Sequence, residues 1–135
     1  MLGGLIVDFG GVLTDPGDSG GSERPLLTAV ARARDHGLRT GLLSNADGLA
    51  PGIPDLSDLF DAVVLSGQVG FGKPDARIYA LAAERIGLPP QRCVFVDDLA
   101  SNVRGAVRAG MVGVHHRDVD ATLEELNALF GVPFR

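Results

Sequence analysis

The sequence is poor in several things at once. Among 135 residues there is one cysteine, Cys93, and one lysine, Lys73, against eleven arginines. A single cysteine allows no internal disulfide, so a secreted disulfide scaffold is excluded. No run approaches the ~20 apolar residues that cross a bilayer. The start, Met1-Leu-Gly-Gly-Leu-Ile-Val-Asp8, has no basic stretch and its apolar run is cut short by Asp8. A signal peptide is therefore not expected. Positive charge is also scarce. The net charge of −5 argues against a nucleic-acid backbone binder, and no membrane partner is expected. A soluble cytoplasmic protein is the expectation, and the length suits one domain over 1–135.

Glycine, by contrast, is abundant: 19 of 135 residues, about twice the usual ~7%. It has no collagen-like period and sits where helices should stop. Gly37-Leu38, Gly87-Leu88, Gly110-Met111 and Gly131-Val132 each read as a left-handed glycine followed by an apolar residue that packs back on the last turn. Between these stops lie helical stripes: Leu26, Leu27, Val30 and Ala31; Ile78, Leu81, Ala82 and Ile86; Val103, Ala106, Val107 and Gly110. Pro74 reads as a first-turn residue of the helix it opens.

Five short apolar runs alternate with those helices: Leu5–Phe9, Thr40–Leu43, Ala62–Leu65, Cys93–Val96 and Met111–Val114. None alternates strictly, as expected for strands buried on both faces. The pattern predicts a three-layer, Rossmann-like α/β fold with about five parallel strands flanked by helices.

Ligands of such sheets bind beyond the carboxyl ends of the strands. Asp8 ends the first strand, Ser44-Asn45 the second and Asp97-Asp98 the fourth, while Lys73 precedes a helix after the third. Taken singly, each has an ordinary explanation as a cap, a loop or a solvated lysine. Together they put three carboxylates, a hydroxyl, an amide and an ammonium on one rim. Three crowded acids call for a divalent cation, and oxygen-only ligation points to Mg²⁺. Asn102 lies about one helical turn after Asp98, a spacing that lets it orient the acidic pair.

In this order the residues resemble the four motifs of the haloacid dehalogenase superfamily. Val7-Asp8-Phe9-Gly10-Gly11-Val12-Leu13 is similar to motif I, Leu42-Leu43-Ser44-Asn45 to motif II, Gly72-Lys73-Pro74 to motif III, and Val96-Asp97-Asp98-Leu-Ala-Ser-Asn102 to motif IV. The resemblance implies a Mg²⁺-dependent phosphohydrolase in which Asp8 attacks phosphorus and forms an aspartyl-phosphate. It further implies that Ser44, Asn45 and Lys73 hold the phosphoryl group. The metal would be held by Asp8, the Gly10 carbonyl and Asp98, with Asp97 nearby, and a phosphorylated compound or macromolecule would be the partner.

Two departures from the family pattern stand out. Gly10 occupies the position where most family phosphatases carry a second aspartate, the general acid and base. Asp15 and Asp18 are the nearby acids considered as replacements. The family's usual helical lid also has no counterpart, because only Asp15–Arg24 stands in its place. Three outcomes fit an open site: a large substrate that covers it, a neighbouring subunit that serves as lid in a homo-oligomer, or weak catalysis. A non-enzymatic domain binding phosphate or a partner is the rival reading. A receiver domain is excluded because its acidic pair would come early in the chain, and dehalogenation because an aromatic residue would stand at position 10. His115-His116, Cys93 and Tyr79 read as structural, and Arg32, Arg34, Asp35 and Arg39 as a solvated helix surface.

Overall fold

The computed structural model describes residues 1–19, 24–48 and 58–134. Five strands form one parallel sheet: β1 (Gly4–Val7), β2 (Arg39–Ser44), β3 (Ala62–Leu65), β4 (Cys93–Asp97) and β5 (Val112–His115). Their spatial order is β3-β2-β1-β4-β5. The sheet is thus the predicted Rossmann-like one. Every residue of β1 and β4 is buried, which is why these runs carry no polar alternation. Side chains still alternate between the two faces. Leu5, Val7, Leu42, Val94 and Val96 enter one apolar cluster, and Ile6, Leu43, Cys93 and Phe95 enter the other.

Helices cover both faces. α1 (Pro25–Asp35) and α5 (Val119–Phe130) bury Leu26, Ala29, Val30, Ala33, Leu123 and Leu126 in the first cluster. α3 (Ala76–Ile86) and α4 (Ala100–Arg108) bury Ile78, Tyr79, Ala82, Ile86 and Ala106 in the second. Each fully buried large side chain contributes roughly 1.5–3 kcal/mol. Among the described residues, no helix is long and apolar enough to cross a membrane.

Three of the four glycine stops behave as expected, whereas at the fourth Gly131 (φ 71°) itself donates to Asn127 O at 2.8 Å. Gly37, Gly87 and Gly110 have φ of 80°, 80° and 100°. The apolar residue after each donates its N–H back into the helix: Leu38 to Ala33, Leu88 to Ala83 and Met111 to Ala106, each at 3.0 Å.

Several local expectations are corrected. Among the described residues, β3 is followed by a one-turn helix, α2 (Ser66–Val69). Pro74 lies outside α3. It follows a cis Lys73–Pro74 peptide, and Asp75 caps the helix by accepting the Arg77 N–H at 2.9 Å. Val107 is 55% exposed, because α4 turns Asn102, Gly105 and Ala106 inward instead. The cause is a close approach at Gly105, where a Cβ would stand 2.7 Å from Pro74 Cβ and 2.8 Å from Tyr79 Oη. Arg39 belongs to β2, and Arg34 pairs with Asp61 at 3.2 Å, so that group is not merely a solvated helix face. The segment expected in place of a lid lies partly at 20–23, outside the described residues, as does 49–57.

Candidate active site

Strand order sets the site. From β1 the chain moves outward to β2 and β3, then returns past β1 to β4 and β5 on the other side. The crevice at such a switch point lies between the carboxyl ends of β1 and β4. Asp8 directly follows β1, where its N–H extends the ladder to Val96 O at 3.0 Å. Asp97 is the last residue of β4. The two acids are therefore adjacent although 89 positions apart.

Lys73 reaches into this crevice and is only 7% exposed. Its Nζ donates to Asp8 Oδ1 at 2.9 Å, to Asp97 Oδ2 at 2.8 Å and to Leu43 O at 3.1 Å, which uses all three ammonium donors. Its backbone is clamped by Asn45, whose Oδ1 accepts from Lys73 N at 2.8 Å and whose Nδ2 donates to Lys73 O at 3.0 Å. The Asn45 side chain is thus committed to the lysine loop, leaving its backbone N–H for any phosphate. Ser44, at the end of β2, is buried on the same edge.

Asp97 is fully buried. Its Oδ1 accepts from Leu99 N at 2.9 Å, and its Oδ2 accepts from Asn102 Nδ2 at 3.2 Å as well as from Lys73. Asn102 therefore orients Asp97, five residues back, rather than Asp98. Tyr79, fully buried, donates its hydroxyl to Asn102 O at 2.6 Å and steadies that turn of α4.

Asp98 packs against the hook formed by Phe9–Leu13 after Asp8. Within it Gly11 has φ of 81°, and a Cβ there would run into the Asp98 carboxylate. Glycine is required on both counts. Gly10 differs. Its φ of −67° and ψ of 130° suit any residue, and nothing lies within 4 Å of a Cβ built on it.

Oxygens of Asp8, Asp97 and Asp98 all lie within 4.8 Å of one another, the only such acidic, histidine or cysteine group of three found among the described residues. Burial pushes the Asp8 carboxyl up from 3.8, although Lys73 opposes the shift. Asp98 is pushed up too, first by burial and then by Asp97 beside it. One ammonium does not neutralise three carboxylates. An all-oxygen donor set with excess negative charge fits a hard divalent cation such as Mg²⁺.

Asp15 is poorly set up as a proton donor. Its Oδ1 accepts from Gly17 N at 2.9 Å and its Oδ2 faces His116 Nε2 at 2.7 Å. The Gly17 N–H, aided by His116, holds its carboxyl below the usual range against the opposing effect of burial. Asp18 is exposed. His116, read from the sequence as structural, has partners that the sequence did not indicate. It is 3% exposed and also bonded through Nδ1 to Thr122 Oγ1 at 2.7 Å. Its neighbour His115 donates from Nε2 to Asp98 O at 3.0 Å. No local pattern marks such pairings, since Asp15 and His116 are far apart in sequence. Cys93 is buried, and burial pushes its thiol up to about 11, so it is no nucleophile. A cleft of about 530 Å³ opens between Asp15–Asp18 and Arg117–Leu123, and none of Asp8, Asp97 or Asp98 lines it.

The model of the haloacid dehalogenase-like hydrolases matches residues 22–110. An uncharacterized protein from Corynebacterium glutamicum superposes with a TM-score of 0.87 at 40% identity, covering 98% of this chain and 97% of that one. A phosphatase of Mycobacterium tuberculosis is 40% identical over 88 residues, which are 62% of this chain and 41% of the phosphatase. A HAD family enzyme from Bacteroides thetaiotaomicron, in complex with magnesium and inorganic phosphate, shares the fold with a TM-score of 0.63 at 16% identity, covering 87% and 96% of the two chains. The chain spans less than half the length of the curated relatives it matches, from 11% and 22% to 41%.

Proposed function

Because the chain belongs to the haloacid dehalogenase-like hydrolases, we propose that it is a phosphohydrolase that cleaves phosphate monoesters through an aspartyl-phosphate on Asp8. The observation that carries this reading is the buried Lys73 ammonium, bonded to both Asp8 and Asp97 at 2.9 and 2.8 Å within a nest of three carboxylates. A phosphate dianion approaching a carboxylate is repelled, and a fixed cation in a water-poor crevice offsets that repulsion without reorganising.

In this mechanism Asp8 attacks phosphorus, the P–O bond to the leaving group breaks, and the aspartyl-phosphate is then hydrolysed by water to release phosphate and restore Asp8. Lys73 holds the Asp8 carboxylate in position, and the donor it gives to Asp8 passes to a phosphoryl oxygen as Asp8 bonds phosphorus. The Ser44 hydroxyl and the Asn45 backbone N–H take further phosphate oxygens. Asn102 and Lys73 hold the Asp97 carboxylate in place through their hydrogen bonds to Oδ2. Asp8, Asp98 and the Gly10 carbonyl, with Asp97 alongside, would hold Mg²⁺, which when bound supplies charge neutralisation for the phosphate and the acids.

The chain's own departures shape the activity. Gly10 offers no side chain to protonate the leaving oxygen, and Asp15 is committed to Gly17 and His116. Substrates with good leaving groups, such as aryl or acyl phosphates, should therefore be turned over best. The match to the Corynebacterium protein over nearly both chains supports a single domain over 1–135 without a cap. Gly10 is also what favours a second reading, a domain that binds phosphate or a partner with little turnover. Phosphate release from p-nitrophenyl phosphate with Mg²⁺ separates the two. Wild type should turn over and Asp8→Asn should fall to background; equal rates in the two proteins would overturn the enzymatic reading.

A further inference from the structure

We propose that His116 is a positioning residue: through Asp15 it fixes the hook that leaves Asp8, and so sets where the Asp8 carboxylate and the Gly10 carbonyl stand relative to Asp98. The hook is tied internally by short-range bonds only. Gly11 N donates to Thr14 Oγ1 at 2.9 Å, Thr14 N to Phe9 O at 3.4 Å, and Asp15 N to Val12 O at 3.2 Å. Val12 and Leu13 sink into the core, but apolar burial is non-directional and leaves the path of the backbone loosely specified.

Direction comes from the Asp15–His116 pair, a bond across 101 positions at 2.7 Å. The carboxylate only accepts, so Nε2 carries the proton. The imidazole is itself held from two other sides. Nδ1 bonds Thr122 Oγ1 on α5 at 2.7 Å, and the His116 backbone N–H donates to Asp97 O at 2.8 Å. One short path of hydrogen bonds therefore runs from the end of the Asp8 hook to the main chain of Asp97. His115 adds a parallel tie to the Asp98 carbonyl at 3.0 Å. Two consecutive residues leaving β5 thus clasp both loops that carry the acids. A buried histidine with three satisfied bonds is more than packing requires, since an apolar residue would fill the volume without needing partners.

The test compares His116→Leu, Asp15→Ala, their double variant and Asp15→Asn with wild type. Val30→Ala, in the core under α1, serves as a destabilised control. Amide exchange of Phe9–Leu13 reads the hook directly. It should accelerate at least tenfold in His116→Leu and stay unchanged in Val30→Ala at the same loss of Tm. The kinetic arm alone rests on the phosphohydrolase reading. With p-nitrophenyl phosphate, kcat should fall about 10- to 100-fold and the Mg²⁺ concentration for half-saturation should rise. KM should move less than twofold, because Ser44, Asn45 and Lys73 bind phosphate from other loops. The double variant should be no worse than either single, and Asp15→Asn should recover to within about threefold, since its amide still accepts from Gly17 and can donate to a neutral Nε2. Unchanged exchange in His116→Leu, or single effects that multiply in the double, would overturn the proposal. A wild type without Mg²⁺-dependent hydrolysis would overturn the functional reading instead, and exchange would still decide the role of His116.

Discussion

Gly10→Asp is the most informative single change, because the structure separates its effect on stability from its effect on chemistry. Position 10 has an extended, left-of-zero backbone (φ −67°, ψ 130°), and a Cβ built there meets nothing within 4 Å. No strain or collision opposes the substitution. Replacing glycine restricts the unfolded chain and stabilises by about 0.4–1 kcal/mol. A fourth carboxylate near Asp8 and Asp98 costs about 1 kcal/mol at exposed separations near 4 Å. The two nearly cancel, so Tm should move by only a few degrees. On the chemical side, a positioned general acid is worth 10²–10⁴-fold, or about 3–5 kcal/mol of barrier. The gain should concentrate on substrates whose leaving oxygen needs a proton. With Mg²⁺ and a series of phosphate esters, alkyl phosphates should speed up by that factor. Acidic aryl phosphates should change little, so the dependence of log kcat on leaving-group pKa should flatten. Gly10→Asn, matched in shape but without the proton, should resemble wild type. A wild-type slope that is already flat, or a slope unchanged in a well-folded Gly10→Asp, would refute the view that this protein lacks a proton donor.

Lys73→Ala should unfold more easily by about 3–5 kcal/mol, since it strands the fully buried Asp97 carboxylate, and urea denaturation showing less than 1 kcal/mol would contradict the placement. Gly11→Ala should cost both stability and Mg²⁺ affinity, because the position has φ of 81° and the new methyl meets Asp98; Mg²⁺ calorimetry on the folded variant checks this, and wild-type affinity would count against the packing. The acidic pair sets the pH dependence. Without metal, burial raises the Asp8 and Asp98 carboxyls above 3.8. In the metal-free protein the same shifts favour folding most below the unfolded value, and that contribution fades as pH rises through the raised folded values. Asp8→Asn should accordingly melt above metal-free wild type at neutral pH, with the difference closing toward pH 4. A gap that is constant with pH would show that the Asp8 charge is not what strains the site.

Much of this molecule is written locally. Strands such as Cys93–Asp97 are buried on both faces and therefore read as unbroken apolar runs, and the pairs Gly37-Leu38, Gly87-Leu88 and Gly110-Met111 stop their helices because the next N–H bonds back five residues. Acids at the ends of β1 and β4 could likewise be placed on one edge, since parallel strands all point their carboxyl ends the same way. What the order of residues did not contain is which groups meet across that edge. The neighbourhood of β1 and β4 brings Asp8 against Asp97 and draws the lone lysine out of solvent to lie between them. The same packing spends the Asn45 side chain on the lysine loop, aims Asn102 at Asp97, turns Val107 outward where Gly105 abuts Pro74, and joins Asp15 to His116. Apolar periodicity and helix stops depend on residues a few positions apart, so sequence alone determines them. Directional hydrogen bonds depend on ångström-scale placement of loops from different strands, and only the assembled sheet supplies that.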